Sequence, residues 1–313
     1  MSIGCAAPVG MMEGMGSSTK KGKKERSAPQ RRSAMKKHAL ITGASRGIGQ
    51  AAAVSLAARG YNVAITARSV DALHDTEHKI RALGSKVDVF KLELDVLDTA
   101  ACLGCVDAAL KGLGASALNA VVHAAIYQGP ALSLDIASLT PVELERAMCS
   151  FSSAVFIFQR AVPVLARDAS LVLIVSSATN MRPTRPVAAG GWSLAYVAAK
   201  SAAAKVLPLL RVELAKQRPD VRCFNVEPGL VVTQAMVDAG TADKFRQWGD
   251  VPPQVCGEVI AHLASAPASS GAVSKANGAA FVYAPKLAHD LQLRIPGFVF
   301  DPRKAQGVED AKL

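Results

Sequence analysis

Thr42-Gly43-Ala44-Ser45-Arg46-Gly47-Ile48-Gly49 follows a short apolar run, His38-Ala39-Leu40-Ile41, and opens an alanine-rich segment over 50–59. A strand enters, a glycine turn reverses the chain, and a helix leaves. Gly43 permits the tight turn, Gly47 lets the backbone approach something bulky, and Gly49 lets the helix pack close to the strand. The helix start presents unpaired N–H groups and a partial positive charge, a setting that suits a pyrophosphate. Glycines at this spacing also occur in ordinary strand–helix turns, so the meaning of the stretch depends on the rest of the chain.

Outward from the turn, strands and helices alternate. Strand-like apolar runs lie at 61–67, 86–94, 119–126, 170–177, 221–226 and 279–283. Helical spacing covers 71–83, 99–113, 141–165, 196–216 (interrupted by Pro208) and 253–264. Alternation of this kind implies right-handed βαβ units. Near-continuous apolar strands imply burial on both faces. The expected fold is α/β, a doubly wound parallel sheet of about seven strands in a single domain over 38–286, flanked by extensions over 1–37 and 287–313.

The chain has 313 residues, 50% of them hydrophobic, enough for one large core. No uninterrupted apolar run reaches the roughly 18–20 residues of a membrane span, so a non-spanning protein is expected. Nine Lys and Arg against two acids give residues 1–38 a charge of +7 out of the total +11. This aromatic-poor, Gly-, Ser- and Lys-rich extension reads as disordered, and it gives little support to a nucleic-acid partner. Six cysteines are scattered without a framework spacing and read as reduced thiols. Cys102 and Cys105 form an isolated CxxC, better read as two buried small side chains than as a ligand pair, and no metal is expected. The chain ends Ala311-Lys312-Leu313, a conservative variant of the Ser-Lys-Leu peroxisomal address, which leaves cytoplasmic and peroxisomal locations open.

Five motifs occur in a fixed order. They are the glycine turn at 42–49, Asp95-Val96, Ser177, Tyr196-Val197-Ala198-Ala199-Lys200, and Pro228-Gly229 followed by Val231 and Thr233. Together they resemble the short-chain dehydrogenase/reductase family over roughly 38–284, which implies a Rossmann-type fold. On a helix, positions i and i+4 share a face, so Lys200 sits beside Tyr196 and its ammonium favours the phenolate. By resemblance, Tyr196 is the general acid/base at a substrate carbonyl or alcohol oxygen, Ser177 orients that oxygen, and Lys200 also bonds the nicotinamide ribose. The resemblance further implies cofactor contacts from Gly43, Ser45, Arg46, Gly47, Ile48, Gly49, Arg68, Asp95, Val96, Tyr196, Lys200, Pro228, Gly229, Val231 and Thr233. NAD-dependent members usually carry an acid at the end of the second strand. Here Ala67-Arg68 stands there and Arg46 lies in the turn, a pair of cations that suits the 2′-phosphate of NADP(H).

The sequence departs from the family in several places. His123-Ala124-Ala125-Ile126 replaces Asn-Asn-Ala-Gly, and His123 reads as a structural donor. Ser150 takes the place of the helix Asn that completes the usual tetrad, with a shorter reach toward the water that serves Lys200. The loop between Ser177 and Tyr196 is longer than usual and carries Arg182, Arg185 and Trp192. Trp192 either stacks on substrate or packs the loop. After Thr233, Met236, Val237, Phe245 and Trp248 give the expected substrate lid an apolar underside, which favours a nonpolar substrate. Beyond 286, Leu287, Leu291, Leu293, Ile295, Phe298 and Phe300 make an apolar tail that either covers a pocket or packs on the sheet edge.

The resemblance implies an NADPH-dependent carbonyl reductase or alcohol dehydrogenase acting on a small molecule, assembled as a homodimer or homotetramer. Two alternatives stand beside it. One is a peroxisomal enoyl-CoA or 3-oxoacyl reductase. The other is a nucleotide-binding relative with weak turnover.

Overall fold

The structure is a computed structural model; it describes residues 36–302 apart from 180–185, 234–235, 238–239, 241 and 248–249. Arg182, Arg185, Trp248 and the C-terminal tripeptide therefore lie outside the described residues. Strand β1 (Lys37–Thr42) feeds helix α1 (Gly47–Ala58), followed by β2 (Tyr61–Ala67), α2 (His74–Arg81) and β3 (Val89–Glu93). Then come α3 (Thr99–Leu113), β4 (Leu118–His123), α4 (Pro141–Ala161), β5 (Leu165–Ile174), α5 (Leu194–Ala203), α6 (Val206–Leu214) and β6 (Arg222–Glu227). The chain closes with α7 (Ala242–Gln247), α8 (Pro253–Ser265), α9 (Gly271–Ala276), β7 (Val282–Tyr283) and α10 (Ala284–Asp290).

The seven strands form one parallel sheet in the order β3-β2-β1-β4-β5-β6-β7. The order reverses at β1, so a crevice opens between the C-terminal ends of β1 and β4, where open α/β sheets bind ligands. One face is covered by α1 and α8, whose core holds Leu56, Val63, Ile65, Phe224, Val255 and Val259. The other is covered by α3, α4 and α6, around Leu40, Val121, Phe158, Leu171 and Leu207. Both faces are dry, which is why the strands read as continuous apolar runs. Each fully buried Leu, Ile or Val contributes roughly 1.5–3 kcal/mol.

Local signals fix several ends. Asp98 caps α3 through Ala101 N at 3.0 Å, and Gly114 closes it in the left-handed region. Thr140 caps α4 ahead of Pro141. Other boundaries differ from expectation. Residues 71–83 begin as a 3-10 turn (Asp71–Leu73) before α2. Helix α4 stops at Ala161, and Leu165 already belongs to β5. The segment 196–216 is two helices, because Pro208 has no N–H to give the carbonyl of Ala204. The chain breaks there and places Pro208 in the first turn of α6; the freed Ala204 carbonyl accepts from Asn225 Nδ2 at 2.7 Å.

No uninterrupted apolar run reaches the length of a membrane span, yet a helix can be long and apolar enough on average to span a membrane. Among the described residues, Pro141–Val164 passes that test by length and composition. Its apolar character has a local cause, since Ala147, Ala154, Ile157, Phe158 and Ala161 are buried in the fold. The C-terminal tail packs on its own domain: Ile295 is buried in the core beneath α1 and α8, with Leu287, Leu293 and Phe298 against it.

Candidate active site

The glycine turn has the shape its spacing implies. A Cβ on Gly43 would lie 2.8 Å from the backbone of Ala125, and one on Gly49 would overlap the carbonyl of Gly43. Around Gly47, at φ +58°, nothing lies within 4 Å of a Cβ position, so the start of α1 faces open space. Ala44 N donates to Thr66 O at 2.8 Å and Thr76 Oγ1 to Ala44 O at 2.7 Å, which clamps the turn to β2 and α2. The N-terminus of α1 has no side-chain cap and no acid in its first turn. Arg46 and Arg68 are exposed, and their guanidinium groups have no ion-pair or hydrogen-bond partner among the described residues. Asp95 folds back on Leu97 N at 3.0 Å, with Val96 buried beside it.

Below the turn, Thr42, His123 and Ser153 join β1, β4 and α4. Thr42 Oγ1 accepts from Ala124 N and Ala125 N, both at 3.2 Å, so its own proton goes to His123 Nδ1 at 2.9 Å. His123 Nε2 then carries the other proton and donates to Ser153 Oγ at 3.2 Å. Burial lowers the imidazole to about 3, so it stays neutral. His123 is a brace, and Ser153 is a member of it that the sequence did not signal. Ser150 Oγ accepts from Tyr127 N at 2.8 Å and ties the loop after β4 to α4. The Tyr127 hydroxyl donates to Glu143 of the same helix.

Helix α5 carries Tyr196 and Lys200. Buried Ser193 caps it by accepting from Tyr196 N at 3.2 Å. Lys200, one turn beyond Tyr196, is 6% exposed and donates to Ile174 O on β5 at 2.8 Å. Burial alone lowers its ammonium to about 8. Burial raises the Tyr196 phenol, the Ser176 hydroxyl offsets part of that by a hydrogen bond, and the Glu227 carboxylate adds to the rise. The net shift is upward, against the expected lowering, and Lys200 is not among its causes. Among the described residues, the Ser176 hydroxyl reaches Tyr196. Ser177 opens the 3-10 turn Ser177–Thr179, and its side chain lies outside the described residues. The adjacent pair of serines offered no pattern to choose between them.

Pro228 is buried at the end of β6, and Gly229 N donates to Glu227 Oε2 at 3.1 Å. Val251 N donates to Leu230 O at 2.8 Å and fixes the loop that leads through Val231 to exposed Thr233. Met236 is half-buried, Val237 is exposed, and Phe245 lies on α7, its side chain outside the described residues. Trp192 is 43% exposed beside the start of α5. The glycine turn, Asp95, Ser176 and Pro228 thus follow β1, β3, β5 and β6 at one end of the sheet. Among the described residues no cluster of His, Cys, Asp or Glu forms a metal site. Burial pushes the Cys102 and Cys105 thiols up to about 11 and about 12.

A family model described as short chain dehydrogenase matches residues 37–244. The chain belongs to the short-chain dehydrogenase/reductase family. One relative of this short-chain dehydrogenase is 11-beta-hydroxysteroid dehydrogenase-like 2 of Arabidopsis thaliana. It is 29% identical over 196 residues, which make up 62% of this chain and 59% of that protein. The chain therefore spans about three fifths of that relative's length. The 3-oxoacyl-acyl-carrier-protein reductase of Brucella melitensis, solved in complex with NAD, is 25% identical, with a TM-score of 0.66 over 80% of this chain and 95% of that one. The alcohol dehydrogenase of Thermococcus sibiricus, complexed with 5-hydroxy-NADP, is 27% identical, with a TM-score of 0.60 over 74% and 92%. Both nucleotide types thus occur among proteins of similar structure.

Proposed function

We infer that this short-chain dehydrogenase/reductase interconverts a carbonyl and an alcohol with NADP(H), Tyr196 serving as general acid/base. The observation that carries this is the face of α5, where Tyr196, with the Ser176 hydroxyl on its phenol, sits one turn before buried Lys200 at the crevice end of the sheet. The cradle fits a dinucleotide: open space at Gly47, an uncapped α1 and two free arginines for a 2′-phosphate. Gly43, Ser45, Ile48 and Gly49 would hold the pyrophosphate, Asp95 and Val96 the adenine, and Pro228, Gly229, Val231 and Thr233 the nicotinamide. When bound, that cofactor supplies a hydride to the carbonyl carbon. The carbonyl π pair then moves onto oxygen, which takes the Tyr196 proton, and Tyr196 regains one from water. Ser176 or Ser177 orients the oxygen.

Oxidation of NADPH that depends on added ketone, faster than with NADH, is the expected result across a panel of apolar ketones and acyl thioesters. A panel that leaves NADPH unoxidised overturns the reading. Arg68→Asp is expected to raise the NADPH KM roughly tenfold to a hundredfold, the worth of a charge-assisted phosphate contact. The NADH KM should hardly move, and equal effects on the two would refute the 2′-phosphate assignment. Because Lys200 loses its proton above about 8 while Tyr196 stays protonated, kcat/KM for reduction should fall as pH rises through about 8. A profile flat through that range would remove Lys200 from the chemistry.

A homo-oligomer is supported by Leu209 and Val212 of α6, 62% and 74% exposed. Replacing both with Asp should lower the mass measured by light scattering to that of one chain, and an unchanged mass would place the contact elsewhere.

A further inference from the structure

Glu227 ends β6 and is 3% exposed. Burying a carboxylate is costly unless it has partners or a task. Along β6, Phe224 and Val226 lie in the core beneath α1 and α8, whereas Cys223 lies in the opposite core and Asn225 reaches Ala204 at the end of α5. Period-two alternation puts Glu227 with Cys223 and Asn225, on the side of α5. Ile174, whose carbonyl holds Lys200, is in register with Val226, so Glu227 stands one residue beyond that point. Its Oε2 accepts from Gly229 N, which fixes the first peptide after Pro228. Its charge acts on the phenol of Tyr196 and, across the sheet end, on the thiol of Cys256 in α8.

We propose that Glu227 sets the preferred direction of the site: its buried carboxylate, fastened to the Pro228–Gly229 turn, favours the cationic oxidised nicotinamide over the neutral reduced one. This rests on the nicotinamide placement under the proposed function. Carbonyl reduction ends, once Tyr196 has regained its proton from water, with a ring bearing one positive charge, and Glu227 stabilises that state. The hydride carries both electrons from ring to carbonyl carbon, so no further reductant or oxidant is needed.

The test compares the Kd of NADP+ with that of NADPH, by calorimetry, in wild type, Glu227→Gln and Glu227→Asp. The 2′-phosphate and pyrophosphate contacts are common to both nucleotides and cancel in the ratio. Glu227→Gln keeps an acceptor for Gly229 N and removes the charge, so NADP+ should weaken about tenfold relative to NADPH. Glu227→Asp keeps the charge and should leave the ratio within about threefold of wild type. Equal weakening of both nucleotides in Glu227→Gln would mean that Glu227 acts only through the loop, and the proposal falls. If that variant does not fold, the wild-type ratio decides. NADP+ bound at least as tightly as NADPH supports the proposal, and NADPH bound more than about tenfold tighter contradicts it. Failure of either nucleotide to bind wild type would instead sink the cofactor reading.

Discussion

Tyr196→Phe is expected to lose about a thousandfold in kcat for ketone reduction, within the range a positioned general acid contributes, while NADPH binding and thermal stability stay near wild type. The substitution removes one hydroxyl and leaves the ring in place. Ser193 still caps α5 through the backbone of residue 196, and Lys200 still bonds Ile174 O, so neither the helix nor its anchor on β5 depends on the phenol. What is lost is the proton that the carbonyl oxygen must receive. Steady-state kinetics beside a nucleotide titration separates the effects. Turnover within about tenfold of wild type would deny Tyr196 the role of acid. Lost nucleotide binding would show that the phenol holds the cofactor more than it serves the chemistry.

Arg222→Met is expected to cost about 3–4 kcal/mol of stability with the active-site residues untouched. Arg222 is buried in β6 and donates to Leu263 O at 3.2 Å, Ala264 O at 3.0 Å, Ala266 O at 2.8 Å and Asp168 O at 2.7 Å. Three of these carbonyls end α8, where the helix leaves them without partners of its own. The Tyr61 hydroxyl reaches Ala264 O as well, so that carbonyl keeps one donor in the variant. Burial lowers the guanidinium below its ordinary value, and this desolvation cost is recovered on substitution, which keeps the net loss below the sum of four hydrogen bonds. At about 2–4 °C per kcal/mol for a domain of this size, the melting temperature should fall by about 10 °C. A change under about 1 kcal/mol in denaturant unfolding would show that water replaces the guanidinium freely.

Much of this architecture is legible in the sequence, for identifiable reasons. The glycine turn could be read because Gly43 and Gly49 face backbone so closely that no other residue fits. Helix α3 could be read to the residue because Asp98 and Gly114 punctuate it. That Tyr196 and Lys200 share one helix face follows from their spacing, while their pairing as a site is what the family resemblance implies. Features set by tertiary partners were not legible. The break before Pro208 could be read from the proline, but not that Asn225, on a different element, takes the stranded carbonyl. That the Ser176 hydroxyl reaches Tyr196 depends on how the chain turns after Ile174, which the sequence does not signal. The balance at the phenol, where burial and Glu227 raise and the Ser176 hydroxyl lowers, required knowing what surrounds it. Glu227 had one visible signal, an acid closing a strand that otherwise reads as core.

The most direct measurement follows the hydrogen itself. Reduced NADP deuterated at the transferring position of the ring is supplied to the full-length protein with a ketone, and the alcohol is analysed by mass spectrometry and NMR. One deuterium on the former carbonyl carbon, and its disappearance together with turnover in Tyr196→Phe, is the predicted result. Deuterium on a carbon beside the carbonyl, or no transfer from the cofactor to any substrate, would contradict the assignment of this site to carbonyl reduction.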